Sequence, residues 1–195
     1  MRLQLKAYYR VTVTDSRGRV IRRTRWRLSR SFVANYLRSI NCITRFSNVS
    51  GVIDTGGTSR TLETNQTRKL EMDAVVGVSA FGPVVGTGST PVAITNTALA
   101  AQVVHGSGAG QLQYQAASFS DVAVGATDAT YVITRVFING SGASITINEV
   151  GLYFQHNGPG AVVAYFLGVR DLVPGGQLVP PGGAATLAYQ MMVSV

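Results

Sequence analysis

The stretch "NGSGASITINEVGLYFQ", residues 139–155, decides the predicted fold, because it joins a turn-forming segment to a strand-forming one. Residues 139–142 have the Asn/Gly/Ser composition of a tight turn, and the residues after them are rich in β-branched, aromatic and other apolar side chains. Glu149 lies in the middle of this apolar run, although the chain of 195 residues has only nine acidic side chains. A carboxylate in such a run needs either a partner or a chemical role.

The preceding segment, "TYVITRVFI" (130–138), has the composition of a second strand, so the two segments are predicted to form a hairpin. If paired residue numbers sum to 284, Arg135 lies opposite Glu149, and the two form a structural ion pair. A register shifted by one residue places Thr134 opposite Glu149 instead. Both faces of the hairpin are apolar, which is typical of strands that are central in a sheet or covered by another subunit.

The rest of the chain predicts a mainly β protein, a β-sandwich of jelly-roll-like type formed by one domain over residues 1–195. Short apolar segments alternate with corners rich in Gly, Pro and Asn, and the chain has 22 glycines. Residues 3–14 alternate between apolar and polar, and "DSRG" (15–18) predicts a turn into residues 19–28. These segments predict a basic N-terminal hairpin over residues 1–28, with residues 46–195 forming the body of the sandwich.

One segment has helical spacing instead. Apolar residues recur three and four positions apart at Phe32, Val33, Tyr36, Leu37 and Ile40. This spacing predicts one helix near residues 30–43, within the segment 29–45. Ser29 or Ser31 is the predicted N-cap, since a serine hydroxyl accepts a bond from a free amide of the first turn.

The charge is unevenly distributed along the chain. Residues 1–69 contain 15 of the 17 lysines and arginines and three of the acids, a formal charge of +12. Residues 70–195 contain two arginines and six acids, a charge of −4, which together with the first part gives the net +8. Such polarity suits nucleic-acid binding, and it also suits head-to-tail packing of subunits.

The segment "RGRVIRRTRWRLSR" (17–30) carries the strongest charge signal. We predict that it forms a basic surface facing either protein or nucleic acid, made of Arg17, Arg19, Arg22, Arg23, Arg25, Trp26, Arg27 and Arg30. Phosphate contact, with the tryptophan stacking on a base, is one interpretation. The favoured one is a solvated or subunit-facing surface, because Arg23, Arg25 and Arg27 share one parity and arginine is enriched at protein interfaces.

Residues suited to catalysis or metal binding are few. His105 and His156 have no partner at ligand spacing and are predicted to lie in loops, as are Asp121, Asp128 and Asp171. The single cysteine, Cys42, is predicted to be a small buried apolar residue. No apolar run approaches the roughly 18 residues that a membrane-spanning helix needs. We therefore expect no enzyme activity, no cofactor, no metal and no membrane contact.

Three segments resemble small β-rich virion structural proteins of tailed bacteriophages. They are "TRVFINGSGASITINEVGLYF" (134–154), "LGVRDLVPGGQLVPPGGAATLAYQMMVSV" (167–195) and "VVGTGSTPVAITNTALAAQVVHGSGAGQLQYQAAS" (84–118). In that family an Asn-x-Ser-Gly turn leads into a strand that ends in a Glu-x-Gly-Leu-Tyr-like segment. A Pro-Pro-Gly turn then precedes a last strand that contains a tyrosine. The resemblance covers about residues 30–195.

This resemblance implies a non-enzymatic assembly protein that is made in the host cytoplasm and located in the virion. The implied partners are copies of the chain and other virion proteins, with packaged DNA as a further contact for the basic hairpin. A tail or neck component is the favoured place in the particle, and a capsid decoration protein that binds the head shell is the alternative. A carbohydrate-binding β-sandwich for host recognition is a second alternative of a different class.

Overall fold

The computed structural model describes residues 4–29 and 31–194, and it shows a mainly β fold with one α-helix. The helix α1 spans Ala34–Arg45. The strands are β1 Gln4–Thr14, β2 Val20–Arg23, β3 Arg27–Ser29, β4 Val49–Ile53, β5 Ser59–Leu62, β6 Gly82–Gly86, β7 Gln113–Phe119, β8 Ala123–Val124, β9 Asp128–Ile138, β10 Ile145–Asn157, β11 Val163–Val179 and β12 Ala184–Ser194. The predicted mainly β class with a single helix is confirmed.

The larger sheet has seven antiparallel strands in the order β2-β1-β12-β9-β7, with β3 also paired to β1 and β8 to β9. Strand β1 follows the predicted alternation, since Ala7, Tyr9, Val11 and Val13 are buried. It pairs with β12 along its whole length, from Gln4 to Thr14. The basic hairpin is therefore built into the main sheet and does not form a segment separate from the body.

The smaller sheet has three strands in the order β11-β10-β6, so β10 is its central strand. Apolar residues of both sheets join one hydrophobic cluster, as in a β-sandwich. A second, smaller cluster lies between α1, the β4–β5 hairpin and the far ends of β10 and β11. The two-faced apolar pattern of β10 is thus explained within this chain.

The predicted pairing of residues 130–138 with 143–154 is wrong. Strand β9 lies in the larger sheet between β12 and β7, whereas β10 lies in the smaller sheet. The turn between them is a corner that connects the two sheets. Asn139 holds this corner, since its amide donates to the carbonyl oxygens of Ala143 at 2.9 Å and Val179 at 3.0 Å, and its oxygen accepts from the Ser141 hydroxyl at 2.7 Å.

The predicted helix starts too early. Residues before Ala34 run alongside β11 instead, where Phe32 bridges Val169 and the Val33 amide donates to the Gly168 carbonyl at 3.0 Å. The N-cap is Val33, without a side-chain bond, so neither predicted serine cap is used. Pairing with the exposed edge of β11 competes with helix formation here, and the helix begins only where that pairing ends.

The apolar composition of "KLEMDAVVGVSAF" (69–81) is compatible with a strand, but the structure shows an irregular segment. Only an isolated bridge between Glu71 and Gln155 has strand geometry there. The segment is irregular because its carbonyl groups bind a buried arginine, which is described below. Residues 48–64, in contrast, contain two short strands, β4 and β5.

Substitution of Gly151 tests the close packing of the central strand β10. A Cβ at this position would lie 2.9 Å from the Val169 carbonyl oxygen and 3.0 Å from Leu99 Cδ2. We expect Gly151→Ala to lower the free energy of unfolding in urea by about 1–3 kcal/mol, the usual cost of overpacking. The control is Gly142→Ala, where a Cβ meets open space. Equal urea midpoints for the two variants would contradict this packing.

Candidate functional site

The carboxylate of Glu149 on β10 is fully buried. It forms an ion pair with Arg170 on β11, with 2.8 Å between Oε2 and Nε. The pair is diagonal across the two strands, because the residue directly opposite Arg170 is Gly151. The carboxylate also accepts backbone N–H bonds from Gly88 at 3.2 Å, Ala100 at 3.1 Å and Ala101 at 2.8 Å.

The guanidinium of Arg170 completes the network on its other side. It donates to the carbonyl oxygens of Thr90 at 3.0 Å and Pro91 at 3.3 Å, and to Asn96 Oδ1 at 2.9 Å. All these partners lie in the β6–β7 connection, residues 87–112. The ion pair therefore holds this long connection against the small sheet, and both buried charges are fully hydrogen-bonded.

Arg135, the predicted partner of Glu149, lies on β9 and is fully buried. Its guanidinium donates to backbone carbonyls of the segment before β6, including Val75 at 3.2 Å, Val78 at 2.5 Å and Phe81 at 3.0 Å. It also donates from Nε to the Gln115 carbonyl at 2.7 Å. Among the described residues, no carboxylate lies within ion-pair distance of it. The predicted Arg135–Glu149 pair is therefore wrong.

Tyr114 provides a second kind of contact for this isolated cation. The Arg135 guanidinium lies over the Tyr114 ring, 4.8 Å from its centroid. Burial lowers the pKa of Arg135 to about 10, an effect that the phenol of Tyr114 opposes, so the side chain remains charged at neutral pH. Burial also raises the pKa of Tyr114 to about 12. The pair is a structural unit that holds residues 75–83 in place.

The sequence contains a signal for Arg170 that the predicted hairpin does not use. Only two cationic side chains occur after residue 69, Arg135 and Arg170, and both lie within apolar strand-like runs. A cation stabilises a buried carboxylate, and these two are the candidates within residues 70–195. Proximity in sequence favoured the wrong one, because the turn at residues 139–142 connects two sheets.

His156 was predicted to lie in a loop, and this too is wrong, because it is a buried residue of β10. Its Nε2 lies 3.1 Å from the Glu63 carbonyl oxygen, which can only accept, so Nε2 carries the proton of the neutral ring. Nδ1 then accepts from the Ser39 hydroxyl of α1 at 3.1 Å. Burial lowers the pKa of His156, with Lys69 acting in the same direction and the Glu63 carbonyl against it.

The structure contradicts the prediction for Asp171 and agrees with the prediction for Cys42. Asp171 is a buried residue of β11 that accepts from the Tyr189 hydroxyl at 3.3 Å, so its predicted place in a loop is wrong. Cys42 is fully buried, as predicted. In the part of the chain that the structure describes, no three His, Cys, Asp or Glu side chains lie close enough to hold a metal ion.

The predicted basic surface forms an open cleft of about 720 Å³ at the edge of the larger sheet. We call it the arginine cleft, and its lining residues are Arg22, Arg23, Thr24, Arg25, Trp26, Arg27 and Gln177. No acidic side chain lines it. The four arginines are exposed, and the guanidinium of Arg10 on β1 covers the Trp26 ring at 4.5 Å from its centroid.

The cleft exists because residues 19–28 do not form one continuous strand. The Thr24 amide and hydroxyl both bond to the backbone of Val11, and residues 24–26 separate β2 from β3. Arg23 pairs with Thr12 and Arg27 with Tyr9, positions on opposite faces of β1. The predicted common face for Arg23, Arg25 and Arg27 is therefore wrong.

Arg17 and Arg19 are not among the residues that line the cleft. Arg19 is paired with Asp15, with 2.7 Å between Nη2 and Oδ2, and the Arg17 amide donates to the same carboxylate at 2.9 Å. The hydrogen bond from the Arg19 amide lowers the pKa of Asp15 most, and the hydrogen bond from the Arg19 side chain lowers it further. Arg30 lies outside the described residues.

Helix α1 presents a second unusual surface. Its buried residues, Asn35, Ser39 and Cys42, are polar or small, whereas Leu37 on the opposite side is 69% exposed. Together with Ile94, also 69% exposed, Leu37 lines an apolar groove of about 370 Å³, which we call the α1 groove. Part of the apolar stripe that predicted this helix thus faces away from the core.

Three of the six acidic side chains in residues 70–195 are buried or paired within the chain. Glu149 and Asp171 are buried, and Glu71 forms an ion pair with Arg68 at 3.4 Å. Three acids remain in this part of the chain, of which Asp73 and Asp121 are exposed and Asp128 is half-buried. The strong charge polarity of the sequence therefore appears in the fold as a basic cleft without an equally strong acidic surface.

Comparison with known proteins gave no match among protein-family models, curated proteins or solved structures. No helix of the described residues is long and apolar enough to cross a membrane.

A double-mutant cycle tests the Glu149–Arg170 pair. Removing one partner leaves the other charge buried and unpaired, so we expect Glu149→Gln and Arg170→Met each to lower the free energy of unfolding by about 3–5 kcal/mol. The double variant should lose clearly less than the sum of the two. Combining Glu149→Gln with Arg135→Met should give a loss closer to additive. A larger coupling with Arg135 than with Arg170 would contradict the observed pairing.

The buried His156 predicts a pH dependence of stability. Its pKa is near 6.5 when unfolded and lower when folded, so its contribution is complete above pH 6.5 and declines as the pH falls below it. Between pH 7.5 and 5.5 the wild type should lose stability at up to about 1.4 kcal/mol per pH unit. His156→Gln should flatten this slope in chemical denaturation. An unchanged slope in His156→Gln would assign the effect to another group.

Proposed function

We propose that this chain is a non-enzymatic structural protein of a tailed-bacteriophage virion, present in many copies as a tail or neck component. It is synthesised in the host cytoplasm and acts in the particle, with further copies of itself and other virion proteins as partners. The observation that carries the proposal is the apolar surface exposed on α1 and the connection beside it, where Leu37, Phe46 and Ile94 are 69%, 76% and 69% exposed. Exposed apolar side chains on the outer face of a helix mark a surface that a partner covers.

The α1 groove is the best-defined part of this outer face. Leu37 and Ile94 lie on its two walls, and the Ala34 amide donates to the Ile94 carbonyl at 3.0 Å, so the helix and the β6–β7 connection hold the groove in shape. Phe46, at the C-terminal end of the helix, is 76% exposed. A neighbouring subunit of the same assembly is the occupant that we assign to this surface.

The buried charges support the proposal of a structural role, because their partners are groups of the chain itself. Glu149, Arg170 and Arg135 bind backbone groups of long connections, and His156 joins α1 to β10 and to the end of β5. These polar groups stabilise the fold. The phage-like segments 84–118, 134–154 and 167–195 contain most of this network, so the resemblance lies in the part of the chain that determines its architecture.

Purified phage particles provide the test. Quantitative mass spectrometry of particles from the phage that encodes this chain should detect it in many copies per particle. When tagged versions are supplied in trans during infection, the wild type should be incorporated and Leu37→Asp should be lost. Val124→Asp, at a position 80% exposed and distant in sequence, is the matched control and should be incorporated. Absence of the chain from particles would refute the proposal, and incorporation of Leu37→Asp would refute the role of the groove.

A further inference from the structure

We propose that the arginine cleft binds the phosphate backbone of duplex DNA without reading its sequence. The inference rests on the proposed function for the source of the ligand, since packaged DNA is the phosphate polymer of a phage particle. It concerns a surface separate from the α1 groove, and the binding is measured on the purified chain.

Charge density is the first reason. Residues 4–29 carry eight lysines and arginines against one acid, a formal charge of +7, and the one acid, Asp15, is already paired with Arg19. Arg22, Arg23, Arg25 and Arg27 line one cleft, and none of them forms an ion pair within the described residues. Like charges gathered in this way repel each other, and a polyanion relieves that repulsion.

The composition of the rest of the surface argues against a second copy of this chain as the occupant. Asp15, Asp54, Glu71 and Glu149 are in ion pairs inside the chain, and Asp171 is buried. The four acids that remain are Glu63, Asp73, Asp121 and Asp128. They follow β5, precede β6 and flank β8, so a copy does not offer a continuous acidic strip of matching charge.

The lining of the cleft favours phosphate contact over base recognition. Guanidinium groups form bidentate bonds with phosphate, and four exposed ones are present. The amide nitrogen of Gln177, the one amide side chain of the lining, donates to the Gly176 carbonyl at 2.5 Å. Arg10 covers one face of Trp26. Contacts of this type position a protein on DNA and carry no sequence information.

Protection of the sheet edge is the competing explanation. Strands β2 and β3 lie at the edge of the larger sheet, where charged side chains prevent pairing with another chain. That role requires charged side chains along the edge, but it does not require several of them to line one cleft. It also predicts no affinity for DNA beyond that of any surface with the same net charge.

Fluorescence anisotropy of the full-length chain with a labelled mixed-sequence duplex tests the proposal. We expect a dissociation constant of about 10⁻⁴–10⁻⁶ M near physiological salt, the range of sequence-independent binding. The logarithm of the binding constant should fall against the logarithm of salt concentration with a slope of about −3 to −4, corresponding to four neutralised phosphates. A duplex of unrelated sequence should bind equally well.

Charge-matched variants locate the binding. Arg23→Gln/Arg25→Gln should reduce the size of the salt slope by about 2 and weaken binding about tenfold at low salt. Arg38→Gln/Arg45→Gln removes the same charge from exposed positions of α1 and should leave the slope unchanged. Arg23→Lys/Arg25→Lys keeps the charge and should restore most of the affinity, and circular dichroism confirms that each variant is folded.

Three results would overturn the inference. They are the absence of a salt-dependent slope in the wild type, an equal loss in the α1 control, and tighter binding of polyglutamate than of DNA. The last result would assign the cleft to an acidic protein partner. Loss of DNA binding in a variant that is still incorporated into particles leaves the proposed function intact, so the two proposals fail separately.

Discussion

The ion pair between Glu149 and Arg170 is the interaction on which the arrangement of the smaller sheet and its covering connection depends. Taking two charges out of water is costly, and only a complete set of hydrogen bonds offsets that cost. Here the set is completed by backbone groups of the β6–β7 connection, so the connection and the pair stabilise each other. Gly86 and Gly88 fit this scheme, because a Cβ at either position would overlap with the Glu149 carboxylate.

Arg135 repeats the same principle in the other sheet. It has no carboxylate partner among the described residues, yet five bonds to backbone carbonyls and the ring of Tyr114 surround its charge. Arg135 and Arg170 thus both bind irregular segments whose backbone groups have few other backbone partners. The surface features outside this buried polar network are the apolar α1 groove and the cationic arginine cleft.

The sequence predicted local structure better than long-range pairing. The alternation along β1 places Tyr9 and Val11 in the core as expected, because period-two patterns report one buried face directly. The Asn-Gly-Ser-Gly turn was recognised, but turn chemistry does not say whether the next strand folds back or crosses to another sheet. Arg135 was therefore assigned to Glu149, although Arg170 is the partner. The start of α1 was misplaced for a similar reason, since pairing of Phe32 with Val169 is not visible in local spacing.

The central claim is that the buried Glu149 carboxylate holds the β6–β7 connection through backbone amides. Hydrogen exchange of the wild type, measured by NMR at single amides, tests it most directly. Gly88, Ala100 and Ala101 donate to the carboxylate and should exchange as slowly as the neighbouring strands β6 and β10. In Glu149→Gln these three amides should lose protection before β1 and β12 do. Exchange of the three wild-type amides at the rate of a free loop would contradict the account.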